Sequence, residues 1–532
     1  MMLYGKEISG PFTIPSGIVT TGVSTLERIA REIPEIGILT TKSIGPEPRS
    51  GNREPIVGNY GFLSFVNAVG LTNPGAEAFA EGLSKIKIPE DKFLLISIFG
   101  SSPEEFRRVA EILYDFADGF ELNISCPHSE RYGQVICQDK ELVERIIKSV
   151  VLLGKPVFVK LSPNSDIKEI TKIAVRNGIA GITAINTRGP ETLLHDNYPV
   201  LSNRVGGVSG REIFQLGIKC VREVREITNL PIIACGGIST AEDVRKSRNA
   251  GATFFGIGSA LAGMDTGEIK EFFHQLLLDL ENNTSNANRF LKVQLPMNYI
   301  KYTVMENRPI ADDLFLLKLD NSIEVEPGQF IFAWLPQKGE KPFSVLDDNP
   351  LSLLIQKRGY FTNELSSLQI GDALYIRGPY GKPLMKSKGR TLLVGGGSGI
   401  AALLLFAKRN YDTFAILGAK DKNHLGIYRT FEDLCEGVYL TTENGEIGQQ
   451  GRVTDILEAV IKEIKPEYCI NCGPEPMIKA VIEMEGKYIE PEKIYSSIDF
   501  LTRCGIGLCG SCGTSKGCRS CVDGTFLMPG QI

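Results

Sequence analysis

The stretch PVFVKLSPNSDIKEITKIAVRNGIAGITAIN, residues 156–186, decides how the first half of the chain is read. A β-branched run, Pro156–Leu161, is followed by an amphipathic helical stretch and then by a second β-branched run, Gly181–Asn186. That is the pattern of a βα unit feeding a parallel strand. The same alternation extends outward in both directions. Further candidate strands are Phe12–Gly17, Gly37–Lys42, Phe93–Ile98, Gly119–Ile124, Pro231–Cys235 and Thr253–Gly258.

Eight such units predict an α/β fold built on a closed (β/α)8 TIM barrel over residues 1–284. In such a barrel the βα loops converge at the carboxyl ends of the strands, so the active site is expected there. Those ends carry Lys42, Asn123, Lys160, Asn186 and the pairs Gly236-Gly237 and Gly258-Ser259. The run ENNTSNANR (281–289) is small and polar, and a linker is placed at 285–298. Residues 299–388 are β-rich with turn signals (EPGQF, RGPYG) and predict a small antiparallel β-barrel. Residues 389–490 return to a βα pattern through LLVGGGSGIAALLLF and YCINCGPEPM, and 491–532 hold a cysteine cluster.

The chain has 532 residues, too many for one core and enough for two to four domains. Its net charge of −5, with no long basic run, argues against nucleic acid as a partner. The start, MMLYGKEISGPF, has no basic n-region before an apolar core, so no secretory signal is read. Glycines 395–397 and 399 interrupt the longest apolar stretch, Thr391–Ala407, so no membrane span is expected either. A cytoplasmic protein acting on small molecules is the expectation.

Five of the twelve cysteines (Cys504, Cys509, Cys512, Cys518, Cys521) crowd near the C-terminus, which points to a metal site and away from a disulfide framework. Cys504, Cys509 and Cys512 have the spacing C-x4-C-x2-C, with Cys521 nine positions on. Plant-type 2Fe-2S centres use this spacing, with a glycine-containing loop such as GIGLCGSC around the cluster. A zinc site would more often pair two C-x2-C arms. Cys518 is spare and is read as a bystander thiol.

Residues 299–480 resemble the ferredoxin-reductase family. The signals run in family order: EPGQF (326–330), KPFSV (341–345), RGYFTNEL (358–365), GPYG (378–381), GGGSG (395–399) and CGPEPM (472–477). With the cysteine cluster, this half looks like the electron-transfer subunit of NAD-linked dihydroorotate dehydrogenases. The resemblance implies FAD on Lys341, Pro342, Phe343, Ser344, Gly359 and Thr362, and NAD on Gly395, Gly396, Gly397, Gly399, Cys472, Gly473 and Pro474. It also implies the 2Fe-2S cluster on Cys504, Cys509, Cys512 and Cys521. Two departures stand out. Lys341 replaces the usual Arg, keeping the charge but losing the planar fork. Ile400-Ala401-Ala402 stands where many relatives continue with Ala-Pro.

The first half resembles the dihydroorotate dehydrogenase family over nearly its whole length, most strongly at ELNISCPH (121–128). The resemblance implies that Cys126 is the base that removes the C5 proton. An ordinary thiol, with a pKa near 8.5, is roughly 3% thiolate at neutral pH, enough for a positioned base. It further implies a substrate site of Lys42, Asn67, Ala68, Val69, Gly70, Leu71, Asn123, His128, Asn186 and Thr187, in which each asparagine amide can both donate and accept at a pyrimidine edge. Lys42 and Lys160 join Cys126 as catalytic candidates. At about 4 Å and an effective dielectric near 20, the Lys160 charge would favour anionic reduced flavin by about 4 kcal/mol. FMN is implied on Ser16, Gly17, Lys42, Ser43, Asn123, Lys160, Gly210, Cys235, Gly236, Gly237, Gly258 and Ser259, where backbone N–H groups can cradle its phosphate.

The resemblance implies oxidation of (S)-dihydroorotate to orotate, with electrons passing from FMN through 2Fe-2S and FAD to NAD+, in a homo-oligomer that dimerises through the barrel. His128 stands where many dihydroorotate enzymes have Asn and uracil-reducing dihydropyrimidine dehydrogenases have His, which keeps an NAD(P)H-dependent uracil reductase as the alternative. A non-catalytic electron carrier or redox sensor would need neither Cys126 nor the three asparagines.

Overall fold

The computed structural model describes residues 1–124, 136–384, 386 and 388–532. The chain divides into two compact units, one of residues Met1–Leu295 with Ile506–Gly513, the other of Pro296–Gly505 with Thr514–Ile532.

In the first unit eight parallel strands close into a barrel: β1 Phe12–Ile14, β2 Ile36–Thr40, β3 Phe93–Ile98, β4 Gly119–Asn123, β5 Val157–Leu161, β6 Gly181–Ala184, β7 Ile232–Ala234 and β8 Phe254–Gly256. The pairing runs in chain order, and β8 returns to β1 through Phe255 opposite Phe12. Residues such as Phe120, Phe158, Val159 and Ile182 are buried because the strands are covered by helices on one side and by the barrel interior on the other. The helix Ile167–Arg176 shows how the outer ring is built. Asp166 caps it by accepting from Glu169 N–H at 3.1 Å, and its apolar face buries Ile170, Ile173 and Ala174. Register then fixes the interior: Asn123 lies opposite Lys160, and Lys160 opposite Thr183. Residues paired across neighbouring strands share a face, so these three side chains stand at one level.

A four-stranded antiparallel sheet in the same unit joins Val57–Gly61, Ser64–Asn67, Gly206–Gly210 and Arg188–Glu191. Residues 286–290, inside and just beyond the polar run at 281–289, form a 3-10 helix. The Asp279 carboxylate accepts there from Ala287 N–H at 2.7 Å and from the Thr284 hydroxyl at 2.5 Å. Burial would raise its pKa, but these bonds hold it below the usual value.

The second unit contains a seven-stranded antiparallel half-barrel and a six-stranded parallel sheet. The half-barrel orders Gly339–Ser344, Phe330–Leu335, Ala373–Tyr380, Ile300–Pro309, Leu314–Leu319, Leu351–Gln356 and Asp347–Asp348. The parallel sheet is centred on Thr391–Gly396, flanked by Thr413–Ala419 and Tyr468–Cys472. No described helix is long and apolar enough to cross a membrane.

Candidate active site

The polar residues at the carboxyl end of the barrel form one hydrogen-bonded set. Asn123 Nδ2 donates to Ser43 Oγ at 2.9 Å. Ser43 Oγ lies 2.9 Å from Ser16 Oγ and 3.0 Å from Ser97 Oγ. Ser97 in turn donates to Glu121 Oε1 at 3.0 Å, and Thr183 donates to Glu121 Oε2 at 2.8 Å. Lys160 Nζ stands 3.8 Å from Glu121 Oε1. Lys42, Asn123, Lys160 and Glu121 are all buried. A buried carboxylate and ammonium are tolerated only when paired and hydrogen-bonded, and Glu121 meets that condition with both oxygens engaged.

Glu121 is the residue of this set that the sequence reading missed. Its signal was present: a lone acid in the strand GFELN, two positions before Asn123 and therefore on the same strand face.

Asn67 ends the strand Ser64–Asn67, and its Nδ2 donates to Gly207 O at 3.2 Å. The loop that follows carries Ala68, Val69, Gly70 and Leu71, with Leu71 buried at φ +55°. Asn186 follows β6, and its Oδ1 accepts from Thr187 N–H at 2.8 Å. Cys126 and His128 lie outside the described residues.

The glycines read as a phosphate cradle do come close to one another. A Cβ on Gly237 would lie 2.4 Å from Gly210 O, so only glycine permits that approach. Gly17, at φ +88°, would carry a Cβ 3.7 Å from Lys42 Nζ. Gly258 opens the 3-10 turn Ser259–Leu261. The segment GGVSG, Gly206–Gly210, is a strand of the antiparallel sheet, with Gly207–Gly210 in register opposite Asn67–Ser64. Burial pushes the Cys235 thiol up to about 12, against the nearby Lys160 charge, so it stays protonated and inert. Backbone N–H groups framed by side-chain-free positions beside buried lysines fit a flavin phosphate and ring.

In the second unit, Lys341, Pro342, Phe343 and Ser344 lie on the strand Gly339–Ser344. The Phe343 ring stacks with Phe361 at 6.4 Å. Thr362 Oγ1 accepts from Gly359 N–H at 3.2 Å and fixes the turn before the helix Tyr360–Ser366. At the carboxyl ends of the parallel strands lies a cavity of about 440 Å³ lined by Gly396, Gly397, Pro474, Lys420, Glu443 and Arg452, among others. Such a crevice is where dinucleotides bind in open parallel sheets. Lys420 and Glu443 were not read from sequence; each directly follows a strand of this sheet, a position that only the strand order brings to the crevice. A Cβ on Gly399 would meet Cys472 O at 2.6 Å, so GGGSG and CGPEPM are in close contact.

Cys504, Cys509, Cys512, Cys518 and Cys521 are all buried. Gly505, Gly507 and Gly510 have φ of +81°, +73° and +68°, left-handed values that favour glycine. Cysteine thiols are the donor type that iron-sulfur centres take.

A closed parallel α/β barrel with lysines, amides and a carboxylate gathered at the carboxyl mouth defines an enzyme barrel. A family profile described as dihydroorotate dehydrogenase matches residues 1–277. The chain belongs to that family of oxidoreductases. It is 40% identical over 262 residues to the catalytic subunit of dihydroorotate dehydrogenase B (NAD(+)) of Pyrococcus abyssi, covering 49% of this chain and 86% of that protein. The protein of the same name in Methanocaldococcus jannaschii is 40% identical over 266 residues, with the same two coverages. A solved chain from a study of electron bifurcation by NADH-dependent reduced ferredoxin-NADP oxidoreductase is 28% identical, over 43% of this chain and 88% of that chain, with a TM-score of 0.39.

Proposed function

We propose that the chain oxidises (S)-dihydroorotate to orotate in pyrimidine biosynthesis, with NAD+ as the final acceptor. The observation that supports it most is the buried set Lys42, Ser43, Asn123, Lys160 and Glu121 at the mouth of a barrel of this family. Asn67, Asn123 and Asn186 would orient the pyrimidine by its amide edges. Cys126 would hold and move the C5 proton. Ser16, Gly17, Lys42, Ser43, Asn123, Lys160, Gly210, Cys235, Gly236, Gly237, Gly258 and Ser259 would hold FMN. Lys341, Pro342, Phe343, Ser344, Gly359 and Thr362 would hold FAD, and the four cysteines 504, 509, 512 and 521 a 2Fe-2S cluster. When bound, these groups would supply hydride acceptance, single-electron transfer and re-pairing of electrons for a nicotinamide. NAD would lie in the crevice lined by Gly396, Gly397 and Pro474. The assembly would be a cytoplasmic homo-oligomer, dimeric through the barrel.

Anaerobic titration with dihydroorotate tests this reading: flavin and iron-sulfur absorbance should bleach, and NAD+ should restore it. Bleaching by dihydrouracil but not by dihydroorotate would transfer the assignment to a uracil-type substrate.

A further inference from the structure

The second unit buries an ion pair that the proposed electron path does not use. Arg377 Nε donates to Glu340 Oε1 at 2.5 Å and Nη2 to Glu340 Oε2 at 2.8 Å, with both side chains excluded from water. Arg377 Nη1 donates to the Tyr380 hydroxyl at 2.7 Å and to the backbone carbonyl of Cys504 at 3.2 Å. Tyr299 donates to Glu340 Oε1 at 2.6 Å, and Tyr380 donates to Pro296 O at 2.6 Å. The guanidinium also lies 4.0 Å from the centre of the Phe332 ring.

Well-packed apolar residues would fill such a site at equal or better stability, so a buried pair of this kind is weak evidence for stability. What apolar residues could not do is hold the Cys504 carbonyl. The same cage closes over the next residue, since a Cβ on Gly505 would lie 2.9 Å from Phe332 and 3.0 Å from Tyr380. Gly505 at φ +81° is therefore seated against the two rings that flank the guanidinium.

We propose that Arg377 is a positioning residue for Cys504: its fork is fixed on one side by Glu340 and anchors on the other the backbone that presents the Cys504 thiol. This rests on the reading of Cys504 as a cluster ligand. Outer-shell partners of metal ligands typically change affinity by about 10- to 100-fold. Arginine suits the role because its rigid fork serves two acceptors at once, where a lysine ammonium would swing between them.

The test uses the full-length holoprotein. Arg377→Met with Glu340→Gln removes both charges, so that neither is left buried alone. Iron loss to a chelator and the cluster's midpoint potential, from an anaerobic redox titration, are then compared with wild type. The expected result is unchanged flavin content, roughly tenfold faster iron loss and a displaced potential. Arg377→Lys, which keeps a charge opposite Glu340, is the second variant and should fall between the two. Iron loss and potential equal to wild type in either folded variant would overturn the role of Arg377 while leaving the cluster in place. A wild-type protein without iron would instead overturn the cluster reading, and the role of Arg377 with it.

Discussion

Lys160 Nζ lies 3.8 Å from Glu121 Oε1 inside the barrel, and Ser97 and Thr183 hold both oxygens of that carboxylate. The lysine is thus held between a fixed anion and the mouth of the barrel. It is the neighbour of Asn123 on one side and Thr183 on the other, both by register. Removing one partner of a buried pair leaves the other uncompensated and costs about 3–5 kcal/mol. Glu121→Gln and Lys160→Met should each lower the unfolding free energy of the barrel, read from its denaturant transition, by that order. The double variant should cost less than the two together, with a coupling of at least about 1 kcal/mol. Strict additivity would mean that the pair is not coupled.

Cys126→Ser should fold and keep its flavin yet lose about 10²- to 10⁴-fold in dihydroorotate turnover near neutral pH, because a serine hydroxyl is far less acidic than a thiol. Cys235, whose thiol burial pushes up to about 12, cannot take over as base. Turnover at the wild-type rate would place the base elsewhere.

The eight barrel strands were legible because β-branched runs alternate with amphipathic stretches, but several were read too long at the carboxyl end. Phe12–Gly17 is Phe12–Ile14, and Gly181–Asn186 is Gly181–Ala184. The trimmed residues, Ser16, Gly17 and Asn186, leave the ladder to line the mouth, so the ends that failed as strand are the candidate site. The antiparallel sheet was not legible: GGVSG carries little strand propensity, and its pairing with Ser64–Asn67 spans some 140 residues. The cage around Arg377 was hidden for the same reason, its members at 299, 332, 340, 380 and 504 being brought together only by the fold. Motifs that act through consecutive residues, such as GGGSG and the cysteine loop, survive in the sequence. Networks built across strands do not.

Gly399 offers a way to separate the two halves of the proposed relay. Its Cβ would press on Cys472 O and C at 2.6 and 2.7 Å, backbone atoms that cannot swing aside. Gly399→Val should therefore spread the crevice between the strands Thr391–Gly396 and Tyr468–Cys472. Dihydroorotate should still bleach the flavin at the wild-type rate. Reduction of NAD+ should fall tenfold or more, the rate equivalent of about 1.4 kcal/mol. Stopped-flow measurement of both phases checks this, and equal loss in the two would show that the substitution acts on the whole fold.

Glu485 provides a pH prediction in the second unit. It is buried at the end of the helix Glu475–Glu485 and accepts from Asn471 Nδ2 at 2.7 Å. Burial pushes its carboxyl up to about 8 from an ordinary 4.5, with hydrogen bonds from Asn471 and the Cys469 thiol opposing. Glu485 Oε1 and Asn471 Oδ1 meet no hydrogen-bond partner among the described residues, and a proton retained on the acid adds a donor beside them. A raised folded-state value means that the native state binds more protons than the unfolded chain between about pH 4.5 and 8. The contribution of Glu485 is therefore fully present below pH 4.5 and is lost as pH rises through 8. The total at stake is on the order of 5 kcal/mol. Glu485→Gln keeps an acceptor for Asn471, gains an N–H, and does not titrate. Its advantage over wild type in thermal midpoint should be small near pH 4.5 and grow to its maximum above pH 8. An advantage that is the same at both ends of that range would show that Glu485 does not titrate within it.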